Sequence, residues 1–436
     1  MIIIAYIILA IIFIAPLVYE AHIVYLMRKQ VVLDDQLKWA RHLAQTNRVW
    51  CPACHRKVSP IAFLCSYCSN KNILIPEEGA IFSKPCVSCR KELPTVRQCG
   101  QDKLVAFCPT SGCNYRIGKY AGKFPEVIIP IVGDMSTGKS AFITAWSFCA
   151  EKNLKSDYGV TVSYPFDGGQ YTQKCIKLFE DGEIPEKTND FNPHGIGMDI
   201  LSEPDKGGIR LHFYDAAGEV FDPLREESEN TLVPLKYYDC MDGVIFIIDP
   251  FSTPTLRHKY PQTLLETYGF QASNNESELS CDKFIRGLYD EHDLARDEYH
   301  YAPCAVVITK ADAIIKKGEP DELNLDTLVG NEAVRAKKKQ NSSMSDEDAL
   351  HEACSSQLHE WGMGRVLTLL EEHFKEVRCF SVSAFGHLPQ RGVPFVPQRI
   401  ELPVLWLLRM QKHKQKQKRT SGVPKWDTTH KILRPR

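Results

Sequence analysis

The chain has 436 residues, 44% apolar and 25% charged, with a formal net charge of −1. That length predicts two or three folded units. The near-zero charge argues against a protein that wraps nucleic acid, which requires a basic domain, although it leaves room for a local basic patch.

The first element is Ile2 to Tyr19, 18 residues without a charge. With the residues that follow, it reaches the roughly 20 a membrane-spanning helix needs, and Pro16 is tolerated in such helices. A signal peptide would open on a basic region, which is missing before Ile2, and a uniformly apolar terminal helix would have nothing to pack against. The expectation is a single-pass membrane anchor over 1–28. Arg28, Lys29, Lys38, Arg41 and Arg48 follow the span, which places everything downstream on the cytoplasmic side. Over 29–49, Leu33, Leu37, Trp39, Ala40 and Leu43 recur among charges, predicting an amphipathic linker helix.

Nine of the sixteen cysteines crowd between Cys51 and Cys113, a spacing that suits either a disulfide framework or metal ligation. The other seven are scattered singly, as incidental or buried cysteines are. Cys51, Cys54, Cys65 and Cys68 form two CxxC pairs. Each pair presents two thiolates from one turn, and two turns close a tetrahedron around Zn²⁺. Cys86 and Cys89, with Cys108 and Cys113, make a second set of four, with Cys99 a spare or substitute ligand. All-thiolate sites leave no open coordination position, so the module at 50–120 is expected to be structural, and a segment this small needs such staples to fold.

From Val127 the pattern changes to short apolar runs alternating with helical segments: Val127–Val132, Gly195–Leu201, Ile209–Tyr214, Gly243–Asp249, Ala305–Thr309 and Val377–Val382. Runs of this kind predict a mostly parallel sheet covered on both faces, within an α/β domain at 125–411. Residues 313–358, rich in Lys, Glu, Asp and Ser, are expected to be a charged, partly disordered surface insertion. A last helix covers Ile400–Met410. The tail at 412–436 is basic, which suits either solvent or anionic lipid headgroups.

The strand Val127–Val132 leads into Gly133, Asp134, Met135, Ser136, Thr137, Gly138, Lys139, Ser140 and Ala141. This is GxxxxGKS in the strand–loop–helix setting that cradles phosphates. Lys139 would reach the β- and γ-phosphates and Ser140 would bind Mg²⁺. A nucleotide site of this kind needs a reduced, nucleotide-rich compartment, which favours metal over disulfides for the cysteine cluster. Asp215 and Gly218 form DxxG after the strand Ile209–Tyr214; Asp215 would hold Mg²⁺ through water, and the Gly218 amide would meet the γ-phosphate. Thr309, Lys310 and Asp312 end another strand. Asp312 can accept two hydrogen bonds from a guanine edge, which adenine cannot donate, while the Lys310 stem covers the base. Ser383 and Ala384 end the last strand, with backbone placed for the guanine O6 atom.

These four motifs, in this order and each at a strand end, resemble those of Ras-like GTPases of the TRAFAC class, over roughly 127–411. The anchor, the zinc module and the DAAGE sequence are further similar to bacterial TRAFAC-associated double-GTPases. The anchor-plus-GTPase layout also resembles the β-subunit of the signal-recognition-particle receptor, which lacks a zinc module. The resemblance implies a three-layer P-loop GTPase fold behind a transmembrane helix and a small zinc-ribbon domain, with GTP/GDP, Mg²⁺ and Zn²⁺ as cofactors. It also implies a switch threonine that binds Mg²⁺. Thr161, Thr172 and Thr188 are the candidates, and Thr188 is favoured because a strand follows it shortly.

Three positions depart from the family pattern. Glu219 stands where the water-orienting glutamine would be, Met135 where a glycine leaves room for an arginine finger, and Thr309 where asparagine is usual. Catalysis would then rest on Glu219, Thr188 and Lys139, with slow intrinsic turnover. The expectation is a membrane-anchored GTP switch read by a protein partner, with nucleic acid disfavoured. The alternative is a non-hydrolysing GTP-bound scaffold whose zinc module binds protein or nucleic acid.

Overall fold

In the computed structural model the described residues are 18–25, most of 49–184, 195–201, 208–215, 241–270, 277–292, 302–315 and 322–418. The chain divides at Gly122–Lys123 into two compact units.

The expected membrane anchor is corrected. Among the described residues, no helix is long and apolar enough to cross a membrane. Of the 1–28 segment, only residues 18–25 are described; they are helical, mostly exposed and include Glu20. Eight residues rise about 12 Å, against about 30 Å of hydrocarbon. The rest of that segment, the linker helix up to residue 48 and the tail beyond residue 418 lie outside the described residues. The single-pass membrane localisation falls with the anchor.

The first unit is built from short strands: β1 (Val49–Cys51), β2 (Arg56–Val58), β3 (Ala62–Leu64), β4 (Lys71–Ile73), β5 (Ser83–Pro85), β6 (Glu92–Pro94) and β7 (Ala106–Phe107). They pair as β1–β2, β4–β3–β7 and β5–β6. Strands of two or three residues cannot bury much apolar area, and the core reflects this. Cys65, Cys86, Leu74 and Leu93 form its buried centre, with Phe63, Cys68, Cys89 and Leu104 packed around them.

The second unit carries a seven-stranded mixed sheet in the order β16–β13–β12–β8–β11–β10–β9. Its strands are β8 (Glu126–Val132), β9 (Thr161–Ser163), β10 (Gly195–Leu201), β11 (Gly208–Asp215), β12 (Val244–Ile248), β13 (Cys304–Ile308) and β16 (Val377–Ser381). From β16 to β11 all neighbours are parallel, while β10 is antiparallel to both β11 and β9. The six apolar runs predicted from sequence therefore form strands to within a residue at either end. β12 and β13 are buried at every position, which is why they read as unbroken apolar runs rather than alternating ones. A buried ion pair lies within the core, where Asp199 faces Arg210 across β10 and β11. Their bidentate contact is 2.6 Å from Nε to Oδ1 and 3.0 Å from Nη2 to Oδ2. With both groups buried, each needs the other's charge.

The helices are α1 (Lys139–Tyr158), α2 (Pro254–Lys259), α3 (Gln262–Thr267), α4 (Ser277–His292), α5 (Leu325–Val329), α6 (Asn331–Gln340), α7 (Asp346–Glu360), α8 (Gly364–His373) and α9 (Glu401–Lys418). Helix α1 follows β8 after one loop, as phosphate-loop sequences require. The charged stretch 313–358 differs from the expected excursion. It holds a ribbon, β14 (Ile314–Ile315) with β15 (Leu323–Asn324), followed by α5, α6 and α7. Ser345 caps α7 by accepting the Asp348 amide, and Asp346, Glu347 and Asp348 occupy its first turn, where negative charge suits the helix dipole. Ala349, Leu350, Ala353, Cys354 and Leu358 are buried, and α7 packs on β16. The charge seen in the sequence is the solvent face of amphipathic crossover helices.

Candidate functional site: two thiolate clusters and a glycine-rich loop

Each cysteine pair in the first unit sits on a tight turn that follows a strand. Cys65 follows β3, Cys86 follows β5 and Cys108 follows β7, while Cys51 ends β1. The turns repeat one geometry. The amide of Ser69 bonds the Cys65 carbonyl and that of Arg90 the Cys86 carbonyl. Ser69, Arg90 and Gly112, each four residues after its cysteine, have positive φ. At Ser69 and Arg90 that left-handed residue follows the second cysteine and turns the chain back, where the Asn70 and Lys91 carbonyls accept the Cys65 and Cys86 amides.

The eight predicted ligands do come together in two groups of four, but the grouping differs from the expected one. Cys51 and Cys54 join Cys108 and Cys113, and Cys65 and Cys68 join Cys86 and Cys89. The second group is nested inside the first along the chain. Within each group the sulfurs lie within 4.8 Å of one another, with Cys51–Cys113 at 3.7 Å and both Cys65–Cys89 and Cys68–Cys86 at 3.6 Å. Thiolates about 2.3 Å from a tetrahedral metal lie about 3.8 Å apart, whereas a disulfide needs about 2.05 Å. Both clusters can therefore hold a metal ion. Cys99, left open as a ligand, is exposed and belongs to neither group.

Sequence reading missed the residues that brace these clusters. Asn72, buried on β4, accepts the Val87 amide at 2.9 Å and donates to the Asn70 carbonyl at 2.9 Å. It thereby ties together the turns that carry Cys68 and Cys86. The amide of Cys89, together with those of Ser88 and the Asn72 side chain, holds the Cys86 thiol down to about 6, the direction a ligand thiolate requires. Lys71 reaches the outer group, with Nζ 3.1 Å from the Cys113 carbonyl and 3.0 Å from Asn114 Oδ1.

In the second unit the parallel strands bring their C-terminal ends to one edge of the sheet, and the loops after β8, β13 and β16 meet there. Gly133 ends β8. A Cβ on it would lie 2.7 Å from the Ile247 carbonyl of β12, so glycine is required by close approach. Gly138 has a φ of +98°, which a side chain would strain. At the start of α1, Lys139 folds back over the loop, with Nζ 2.8 Å from the Gly133 carbonyl and 2.7 Å from that of Asp134. The Thr137 hydroxyl donates to the Asp134 carbonyl at 2.9 Å. Ser140 and Ala141, next in α1, are half-buried, as is Ser136. Asp134 points inward, 1% exposed, against Ser280 of α4. Burial raises its pKa, opposed by Ser280, Ser277 and Lys139.

The Thr309 hydroxyl, just past β13, donates to the Thr137 carbonyl at 2.9 Å, so the two motif loops touch. Lys310, with a φ of +56°, pairs through Nζ with Asp249 Oδ2 at 2.7 Å. Asp312 is half-buried nearby. Ser383 lies beyond β16; its hydroxyl accepts the Gly386 amide at 2.7 Å, and its backbone pairs both ways with Gln398. Ala384 is half-buried. Asp215 ends β11, as predicted, but its side chain is outside the described residues, as are Met135, Thr172, Thr188, Gly218 and Glu219. Thr161 lies in β9. No protein-family model and no curated protein sequence matches the chain.

Proposed function

We propose that the second unit binds GTP and GDP with Mg²⁺ and hydrolyses GTP slowly, and that a protein partner reads its nucleotide state. Zn²⁺ in the two thiolate clusters would hold the first unit folded. The observation that carries this reading is the contact of Thr309 with the Thr137 carbonyl. It links the loop that would cradle phosphates to the loop that would select the base. The sheet order supports it as well, since β8 and β13, which lead into those two loops, run parallel on either side of β12.

In this reading Lys139 exchanges its two carbonyl contacts for phosphate oxygens, and Ser140 and Thr188 bind Mg²⁺, with Asp215 acting through water. Asp312 accepts the guanine N1–H and 2-amino group, and the backbone of Ser383 and Ala384 meets O6. Water attacks the γ-phosphorus, the bond to the bridging oxygen breaks, and GDP and inorganic phosphate leave. Glu219, next to Gly218, would orient that water less well than an amide does. This is also what favours the second reading, a GTP-bound scaffold without turnover. The first experiment is nucleotide selectivity. The wild type should prefer GTP to ATP, and Asp312→Asn should shift the preference to xanthosine triphosphate by about 100-fold, the worth of two hydrogen bonds. Equal affinity of the wild type for ATP and GTP would sink the assignment. Tight GTP binding with no phosphate release would leave the scaffold.

A further inference from the structure

Asp312 is short of direct support from its own strand, yet a base-selecting carboxylate must be held in place. Its two chain neighbours carry the support instead. The Ala311 amide donates to the Val382 carbonyl at 3.1 Å, and the Ala313 carbonyl accepts the Leu325 amide at 3.0 Å. Next to each of those partners, one residue before Val382 and one after Leu325, stands a group bound by the same side chain, Arg399. Its Nε donates to the Ser381 carbonyl at 3.0 Å, and its Nη1 lies 3.8 Å from Asp326 Oδ1 and 2.9 Å from Asn331 Oδ1. Gln398, the residue before it, makes both backbone bonds to Ser383.

The arginine is held at some cost. Its φ is +57°, a conformation unfavourable for an L-residue that carries a Cβ. Its Nη2 is buried with no hydrogen-bond partner among the described residues. Burial lowers its pKa, while Asp326 and Asp312 act to raise it, so the guanidinium and Asp312 lie within each other's field. Strain together with an unpaired buried donor is more than a surface tether needs.

We propose that Arg399 is the positioning residue of base recognition: it bolts the end of β16 to the start of α5 and α6, and so fixes Asp312 relative to Ser383. This rests on the nucleotide reading above. The specificity it serves is toward the guanine N1–H and 2-amino edge, because those two contacts depend on where the carboxylate sits, whereas the O6 contact depends on backbone alone; of the two, only the 2-amino contact separates guanine from hypoxanthine.

The test uses the full chain and two nucleotides, GDP and inosine diphosphate, which lacks the 2-amino group. The wild type should prefer GDP by about 10-fold, the worth of one charged hydrogen bond. Arg399→Gln should lose most of that preference, because GDP then loses two hydrogen bonds to Asp312 and inosine diphosphate only the N1–H one, and Arg399→Lys should recover part of it. A merely structural role would weaken both nucleotides alike and leave the ratio unchanged. Asn331→Ala removes one arm of the clamp and covers the case in which the arginine variants do not fold; the same ratio should fall, by less. A wild type that prefers GDP, with an unchanged ratio in the variants, overturns this inference alone. A wild type indifferent to the base overturns the nucleotide reading and this inference together.

Discussion

Both ring nitrogens of His387 meet backbone carbonyls, Nδ1 at 2.8 Å from Leu388 and Nε2 at 3.0 Å from Pro394. A neutral imidazole has one N–H, so only the imidazolium donates to both. These two carbonyls, with Asp312 adding its charge, raise the His387 pKa above 6.5. Because the folded value is raised, protonation stabilises the folded loop. That contribution is fully present below pH 6.5 and is lost as pH rises through the raised folded value. The ring is largely open to solvent, which keeps the effect small. Hydrogen exchange at the Gly386 and Val396 amides should be slower at about pH 6 than at about pH 8 after correction for intrinsic rates. His387→Gln should flatten the difference, and an equal difference in that variant would refute the assignment. Legibility at this scale followed the motifs. Lys139, Asp312 and Ser383 are readable because their chemistry depends on neighbours within a few residues. Arg399 and Asn72 are not, because each gains its meaning from partners brought close only by folding.

At the scale of elements, the strand runs were legible because a strand buried on both faces leaves a continuous apolar signature. The cysteine turns were legible for a similar reason, as each is a local device. How the turns pair is not local. Sequential pairing of neighbouring CxxC units is the simplest reading, yet β3 pairs with both β4 and β7. That places Cys108, just after β7, beside the outer group rather than with Cys86. A double variant separates the two arrangements. With nested clusters, Cys51→Ser with Cys108→Ser damages one site and leaves about one zinc per chain. With sequential pairing it damages both, and zinc falls toward zero. Elemental analysis of protein purified under reducing conditions reads the answer. The charged helices α5 to α7 were misread for a related reason: composition reports the exposed face of an amphipathic helix as readily as it reports a loop.

For the whole molecule, the two units rest on different sources of stability. The second has a sheet with buried strands such as β12 and β13. The first has a core in which Cys65 and Cys86 are central members. With metal in its two thiolate clusters, as proposed above, a domain of that size and core would need that metal to stay folded. Stripping metal with a strong chelator should therefore open residues 49–122 to protease, while a fragment beginning near Lys123 survives. GDP affinity should stay within about 2-fold, since the motif loops all belong to the surviving unit. Loss of nucleotide binding in step with metal removal would show that the two units do not have separate stabilities.

The sequence by itself determined the α/β character of the second unit, the positions of its strands and the identities of the eight thiolate ligands. All of these follow from local pattern: apolar runs of strand length, glycines where backbone must bend, cysteines spaced for one turn. Only the tertiary structure decided which cysteines share a site, that the charged stretch is a packed crossover, and that Arg399 ties Ser381 to Asp326 and Asn331. It also removed the spanning helix, since among the described residues no helix has the length and apolarity that crossing requires. These are relations between segments distant in the chain, or properties of a whole helix, and they are decided by which surfaces meet when the strands close.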